Sequence, residues 1–214
     1  MNDPTNAAVT AHSETLKVWD PLIRASHWLL VAAFGLAYVL EDDFLTLHSW
    51  AGYTVAGVVA VRVAWGFVGP RRARFSDFLT GPGKAMAYFL GLLRGTSPRH
   101  VGHSPAGGIM ILALLLSLTG TALSGMATLA EEKGQGPLAP YIAHQTQTPE
   151  AREGDEEGEG RRRHKKEGVF EEVHEFFANF TVFLVILHVG GVLLASQVHG
   201  ENLTRSMVTG RKRP

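Results

Sequence analysis

The chain has 214 residues, no cysteine, and 20 Lys and Arg residues against 20 Asp and Glu residues, so its formal net charge is zero. The absence of cysteine excludes disulfide frameworks, thiolate zinc sites, iron–sulfur clusters and covalently attached haem. A zero net charge gives no basic footprint for nucleic acid. Any metal must be held by His, Met or carboxylate, and ten His residues make imidazole the first ligand to consider.

Four long uncharged runs dominate the hydropathy pattern. A helix needs about 20 apolar residues to cross about 30 Å of hydrocarbon, and the third and fourth runs exceed that length without a polar face. We therefore predict an all-α integral membrane four-helix bundle, rather than a soluble bundle, as a single domain over residues 16–213. The predicted spans are 21–40, 44–67, 104–130 and 172–200.

The first span is predicted to begin at Pro21, with Asp20 as its N-cap. Arg24 in the first span and Arg62 in the second can keep their charges at the interface by snorkelling. No small-residue cleavage pattern follows the first apolar run, so we interpret it as a retained span rather than a signal peptide. Residues 84–93 are too short to span, which favours a short cytoplasmic interfacial helix.

The distribution of Lys and Arg predicts the orientation. Residues 62–99 and the C-terminal tail are rich in both, and four spans place these segments on the same side as the N-terminus, so both termini are expected to be cytoplasmic. Residues 131–168 then form an outer-side loop whose charged, low-complexity sequence predicts disorder. The basic run 161–166 counts against this orientation, and it is either a docking patch or a solvated spacer.

We expect the metal-binding or redox site at the histidines that lie within the spans. His174 and His188 are 14 residues apart, which on a helix is about four turns and about 21 Å, so both rings point nearly the same way. Because the second span enters from the outer side, His48 lies near the level of His174, whereas His27 in the first span lies towards the level of His188. The sequence thus predicts two cross-helix pairs.

Facing histidines inside an apolar bundle suit haem b, since an axial imidazole from each side fills both open positions of the iron. A structural zinc site is a weaker interpretation because it needs four ligands around one centre. We therefore predict two bis-histidine haems, with pairs His27/His188 and His48/His174.

Several separated motifs resemble the bacterial cytochrome b561 family. They are Val18-Trp19-Asp20-Pro21, Arg24-Ala25-Ser26-His27-Trp28, His48-Ser49-Trp50-Ala51-Gly52-Tyr53, Arg62-Val63-Ala64-Trp65-Gly66-Phe67, His174-Glu175-Phe176-Phe177-Ala178-Asn179, Leu187-His188-Val189 and the tail from Glu201 to Arg213. The resemblance covers about residues 16–127 and 170–213, and the motifs before residue 68 resemble the branch of the family that includes the b-type cytochrome subunits of nickel–iron hydrogenases.

The resemblance implies a di-haem cytochrome of the bacterial inner membrane that passes electrons between an outer-side donor and the quinone pool. The donor would be a c-type cytochrome or an oxidoreductase subunit, and quinone would be a substrate. The four paired histidines match the axial ligand positions of the family. The loop over 128–168 departs from the shorter family members, so the outer-side partner is the least transferable expectation.

Other residues have two interpretations each. Gly52 could let a porphyrin approach the backbone or could serve close helix packing. Arg24 and Arg62 could pair with haem propionates or snorkel to lipid phosphate. His103, before the third span, is expected to be an interface residue or a proton donor near quinone rather than a ligand.

Two rival functions stay open at this level. One is a superoxide oxidase that reduces ubiquinone, which would need a cationic approach to the outer haem. The other is a non-redox membrane adaptor whose histidines are structural. The sequence does not decide whether the protein is an enzyme in its own right or an electron carrier.

Overall fold

The computed structural model describes residues 16–40, 44–143 and 156–212, except the side chains of 143 and 156–167. Its helices are α1 (Pro21–Leu40), α2 (Leu45–Val68), α3 (Phe75–Phe78), α4 (Pro82–Leu93), α5 (Pro105–Lys133), α6 (Ala139–Ala143), α7 (Glu156–His199) and α8 (Leu203–Thr209). A 3₁₀ turn covers Arg71–Ala73, and the two-residue strands β1 (Leu16–Lys17) and β2 (Arg211–Lys212) pair antiparallel.

Four of these helices are long and apolar enough to cross a membrane: Pro21–Leu40, Leu45–Val68, Pro105–Lys133 and the part of α7 over Gly168–His199. Their 20, 24, 29 and 32 residues correspond to lengths from about 30 to about 48 Å, which match or exceed the hydrocarbon thickness. The prediction of an all-α membrane four-helix bundle is confirmed.

The outward faces of the spans are apolar. Val39 is 81% exposed, Val68 72% and Leu116 71%, and many other large apolar side chains of the spans are also on the surface. A protein in water rarely exposes apolar surface on this scale, whereas lipid solvates it readily.

Local signals fix where the spans begin and end. The carboxylate of Asp20 accepts a hydrogen bond from the backbone N–H of Leu22 at 2.8 Å, as expected for a cap of α1. The hydroxyl of Ser104 accepts from the N–H of Gly107 at 3.2 Å, and Pro105 then opens α5. Helix α5 stops at Gly134, whose φ of 62° is the left-handed conformation that ends helices.

The apolar core lies where α1, α2, α3 and α5 meet. It comprises Ala33, Val55, Val59, Phe75, Phe78, Leu115 and Leu118. Two glycines let the aromatic rings of α3 enter, because a Cβ at Gly66 would collide with the ring of Phe75 and a Cβ at Gly108 would lie 2.7 Å from the carbonyl oxygen of Phe78. Helix α3 thereby closes one end of the bundle.

That end, which we call the strand end, also carries the paired strands β1 and β2. The indole N–H of Trp19 donates to the Ser206 hydroxyl at 3.3 Å, and Arg99 forms a salt bridge with Glu201. Helix α4 is tied to α7 there by the Tyr88 hydroxyl, 3.1 Å from His199 Nε2. The starts of α1 and α5 and the ends of α2 and α7 therefore share one side.

The predicted interfacial helix corresponds to α4, which begins two residues earlier than expected, at Pro82. It buries Tyr88 and Leu92 against the protein and exposes Met86 at 58% and Leu93 at 59%. This division into a packed face and an exposed apolar face suits a helix that lies along a membrane surface.

At the far end, opposite the strand end, helical residues lie at both edges of the predicted outer-side loop. Helix α5 continues to Lys133, three residues beyond the predicted end of the span at residue 130, and ends where Gly134 adopts the αL conformation. Helix α6 follows at Ala139–Ala143. Helix α7 begins at Glu156, inside the segment 131–168 that the sequence indicates as disordered. The remaining residues of that loop, 144–155, lie outside the described residues.

Candidate functional site

The structure brings the four span histidines together in two pairs. The ring centroids of His27 on α1 and His188 on α7 are 6.4 Å apart. Those of His48 on α2 and His174 on α7 are 6.0 Å apart. Helix α7 supplies one member of each pair. We name the pairs by the end of the bundle that each lies towards: the strand-end pair (His27/His188) and the far-end pair (His48/His174).

The separation of each pair fits two imidazoles on opposite sides of one metal ion. A metal–imidazole bond is about 2.0 Å and the ring adds roughly 1 Å to its centroid, so two axial rings have centroids about 6 Å apart. Both observed distances agree with this value. Two nitrogen ligands per level, in an apolar surrounding, are what a haem iron with four porphyrin nitrogens requires.

Other metal chemistry has less support. Among residues 16–40, 44–143 and 156–212, no group of three or more His, Cys, Asp or Glu side chains comes close enough to hold a metal ion. A zinc site needs three or four such protein ligands. The donor set of the described residues therefore favours haem.

In the far-end pair, both rings are held by backbone carbonyls of neighbouring helices. His48 Nδ1 lies 2.9 Å from the Ala37 carbonyl oxygen on α1, and His174 Nδ1 lies 2.9 Å from the Thr121 carbonyl oxygen on α5. A carbonyl only accepts, so each Nδ1 carries the proton and each Nε2 keeps its lone pair. This is the arrangement that orients histidine ligands and raises their basicity.

The strand-end pair is built differently. His27 Nδ1 is buried and has no hydrogen-bond partner among the described residues. Its ring packs edge-on against Trp28, with centroids 5.1 Å apart. An aromatic neighbour fixes the ring plane without fixing the proton, so the two levels give their imidazoles unequal surroundings.

Arg24 and Arg62 both lie towards the strand end and point into the protein. Arg62 is only 7% exposed, donates to the Ala73 carbonyl at 3.4 Å, and has its guanidinium 5.3 Å from the centroid of the Phe75 ring. The Nη1 of Arg24 lies against Gly210, and its buried Nε has no partner among the described residues. A guanidinium held by one carbonyl keeps donors for an anion such as a propionate.

The glycines fall into two groups. A Cβ built on Gly52, one turn after His48, would meet no atom within 4 Å, so α2 offers bare backbone on that face. A Cβ on Gly125 would lie 2.7 Å from Cε1 of His174, so this position must lack a side chain for the ring to fit. The sequence pointed to Gly52, whereas Gly125 was missed.

Sequence reasoning also missed the groups that contact His174. They are the Thr121 carbonyl and the Ser124 hydroxyl, 3.4 Å from Nδ1. A signal was available in α5, where Ser117, Thr121 and Ser124 recur at intervals of four and three residues, the spacing of one helix face.

His103, just before α5, lies between two aromatic rings at the strand end. Its centroid is 4.6 Å from Trp19 and 4.5 Å from Phe78. Burial, followed by the positive charges of Arg62 and Lys212, lowers the pKa of His103 from 6.5 to about 3. The imidazole is thus neutral at physiological pH, which suits a packed interface residue better than a proton donor.

Replacing His103 with Gln is expected to reduce the loss of stability in mild acid. The unfolded chain binds a proton at His103 below pH 6.5 and the folded chain does not until about pH 3, so stability falls as pH drops through this window. The contribution is up to about 1.4 kcal/mol per pH unit. Thermal unfolding in detergent between pH 7.5 and 5 measures it. Equal pH slopes for His103→Gln and wild type would contradict the assignment.

Comparison with known proteins agrees with this geometry. The family model described as prokaryotic cytochrome b561 matches residues 18–210. No curated protein and no solved structure matches the chain. The matched range includes all four spans and both histidine pairs, so the chain belongs to the prokaryotic cytochrome b561 family and is a multi-pass membrane cytochrome of the haem b type that carries electrons.

Proposed function

We propose that the protein binds two haem b groups, one between His27 and His188 and one between His48 and His174, and carries electrons along the bundle from one to the other. The observation that supports this most directly is the agreement of both ring separations, 6.4 and 6.0 Å, with bis-imidazole ligation. The two levels are about 21 Å apart along α7, so in this proposal one haem lies towards each membrane surface.

The chain's own residues have defined roles in this proposal. The haems supply the one-electron chemistry when bound. The four histidines hold the iron, and the Ala37 and Thr121 carbonyls fix the far-end rings. Gly52 would give a porphyrin access to the α2 backbone, and Arg24 and Arg62 would neutralise propionates of the strand-end haem, because their guanidinium groups keep unused donors near that level. The apolar helices exclude water from both levels.

The proposed orientation puts the strand end in the cytoplasm of a bacterium, with the bundle in the inner membrane. Cytoplasmic flanks of membrane spans are enriched in Lys and Arg. The described strand end exposes Arg71, Arg72, Arg74, Lys84, Arg94, Arg205 and Arg211. Both chain termini would then be cytoplasmic, and the far-end pair would ligate the outer haem.

Electrons would enter at the outer haem from a c-type cytochrome or an oxidoreductase subunit and leave from the inner haem to quinone. We favour this electron-carrier role over a superoxide oxidase because the family match supports a membrane electron carrier. A non-redox adaptor is inconsistent with membership of a cytochrome b family.

A quinone should reoxidise the reduced protein. We expect that the haem bands of anaerobically reduced protein in detergent decay when a short-chain ubiquinone is added, and that the rate saturates with quinone concentration because the quinone occupies a site. Stopped-flow absorbance measures this. Decay no faster with quinone than with detergent alone would refute the quinone step, and a rate that stays linear in concentration would refute a binding site.

A further inference from the structure

We propose that a chain of hydroxyl groups between α5 and α7, formed by Ser117, Thr121, Ser124 and Thr181, positions His174 and thereby sets the reduction potential of the far-end haem. This inference rests on the proposed function, since it presupposes that His174 is an axial ligand. It assigns a positioning role to residues that lie up to two helical turns from the ligand.

The centre of the chain is Thr181 on α7, which is fully buried at 0% exposure. Its hydroxyl donates to the Phe177 carbonyl of its own helix at 2.8 Å. With that proton used, its oxygen accepts from the hydroxyl of Ser117 on α5 at 2.7 Å, and the hydroxyl of Thr121 lies 3.3 Å away. Thr181 therefore fixes both the height and the rotation of α7 against α5.

Thr121 connects this contact to the ligand. Its hydroxyl donates to the Ser117 carbonyl at 3.0 Å and packs 3.3 Å from the Thr181 hydroxyl oxygen, while its own carbonyl oxygen accepts the Nδ1 proton of His174 at 2.9 Å. Thr181 follows His174 by seven residues, two helical turns, so both lie on the face of α7 that meets α5. A shift of α7 at Thr181 must move His174 relative to the Thr121 carbonyl.

Ser124 completes the chain beside the imidazole. Its hydroxyl donates to the Gly120 carbonyl at 2.7 Å, and its oxygen lies 3.4 Å from His174 Nδ1. The side chain is 7% exposed and Ser117 is 2% exposed, so neither exchanges partners with water. Hydrogen bonds between membrane helices act together with close packing to fix the position of one helix against another.

The electronic consequence has a definite sign. A histidine that donates Nδ1–H to a carbonyl is a stronger donor to its metal, which favours the ferric state and lowers the reduction potential. Loosening the Thr121–His174 hydrogen bond removes part of that donation, so the potential of the far-end haem should rise. The strand-end pair, whose His27 Nδ1 has no partner among the described residues, should be unaffected.

The test is a potentiometric titration of the haem bands of purified Thr181→Val, which keeps the side-chain shape and removes the hydroxyl. We expect the far-end haem to become easier to reduce, with at least a threefold higher reduced-to-oxidised ratio at a fixed potential, about 30 mV for one electron. Thr181→Ser keeps the hydroxyl and should titrate as wild type. The low-spin ferric EPR signal of the same haem should shift in Thr181→Val only.

Thr119→Val is the matched control, because the Thr119 hydroxyl bonds to the Leu115 carbonyl within α5 at 2.7 Å. The His27→Ala variant should keep only the far-end haem, so the reduction potential measured in that variant is the potential of the far-end haem. Ser124→Ala is a second probe should Thr181→Val fail to fold, and it should also shift the far-end potential.

The outcomes distinguish a failure of the positioning role from a failure of the di-haem function. Two haems per chain with unchanged potentials and EPR signals in Thr181→Val and Ser124→Ala would overturn the positioning role and leave the proposed function standing. An equal shift in Thr119→Val would also overturn it. Fewer than two haems in the wild-type protein would refute the di-haem function itself.

Discussion

His188→Ala is expected to lower the haem content from two per chain to one. In the proposed di-haem protein, removing the imidazole would leave the strand-end iron with a single protein ligand from His27, and a cavity would replace the ring whose centroid lies 6.4 Å from that of His27. The far-end pair is about 21 Å away along α7, so its haem should stay bound. A pyridine haemochrome assay with quantified protein gives the ratio, and the reduced-minus-oxidised spectrum identifies what remains.

His100→Ala is the control for this result. His100 lies in the loop before α5, its Nδ1 bonds to the nearby Pro98 carbonyl at 3.0 Å, and it takes part in neither pair. It should therefore keep two haems. Two haems in His188→Ala would show that His188 is not a ligand, and loss of both haems with the helical circular dichroism intact would show that the two levels are not independent.

The spans could be predicted closely because one physical requirement determines them. A helix in lipid must satisfy its own backbone hydrogen bonds and present apolar side chains over about 20 residues, so an uncharged run of that length specifies it. The capping residues Asp20 and Ser104 then mark the starts of α1 and α5. Strands β1 and β2 escaped prediction because two residues are too few to show an alternating pattern.

The pairing of the histidines also followed from the sequence, since the 14-residue interval between His174 and His188 fixes two levels on one helix face. The structure brings the four rings together as expected, while their role as ligands stays a prediction. The Ala37 and Thr121 carbonyls could not be predicted, because every residue has a carbonyl and only tertiary packing selects the one that an imidazole reaches.

Gly125→Val is expected to remove the far-end haem and leave the strand-end haem in place. A Cβ at this position would lie 2.7 Å from His174 Cε1 and 2.9 Å from Nδ1, which is closer than any real contact, so the ring must move. It cannot move freely, because Nδ1 is held by the Thr121 carbonyl at 2.9 Å. Overpacking of this kind costs about 1–3 kcal/mol, which corresponds to roughly five- to 150-fold weaker haem binding, so the far-end haem should be lost preferentially when free haem is washed away during purification.

The comparison variant is Leu123→Val, which places the same side chain two residues away on the exposed face of α5, where Leu123 is 52% exposed. It should keep two haems. Because His188→Ala and Gly125→Val remove different haems, the single haem left in each should have a different reduction potential and EPR signal. An identical remaining haem in the two variants would contradict the assignment of the pairs. Two haems in Gly125→Val would show that the far-end haem does not depend on the ring position of His174 that Gly125 allows.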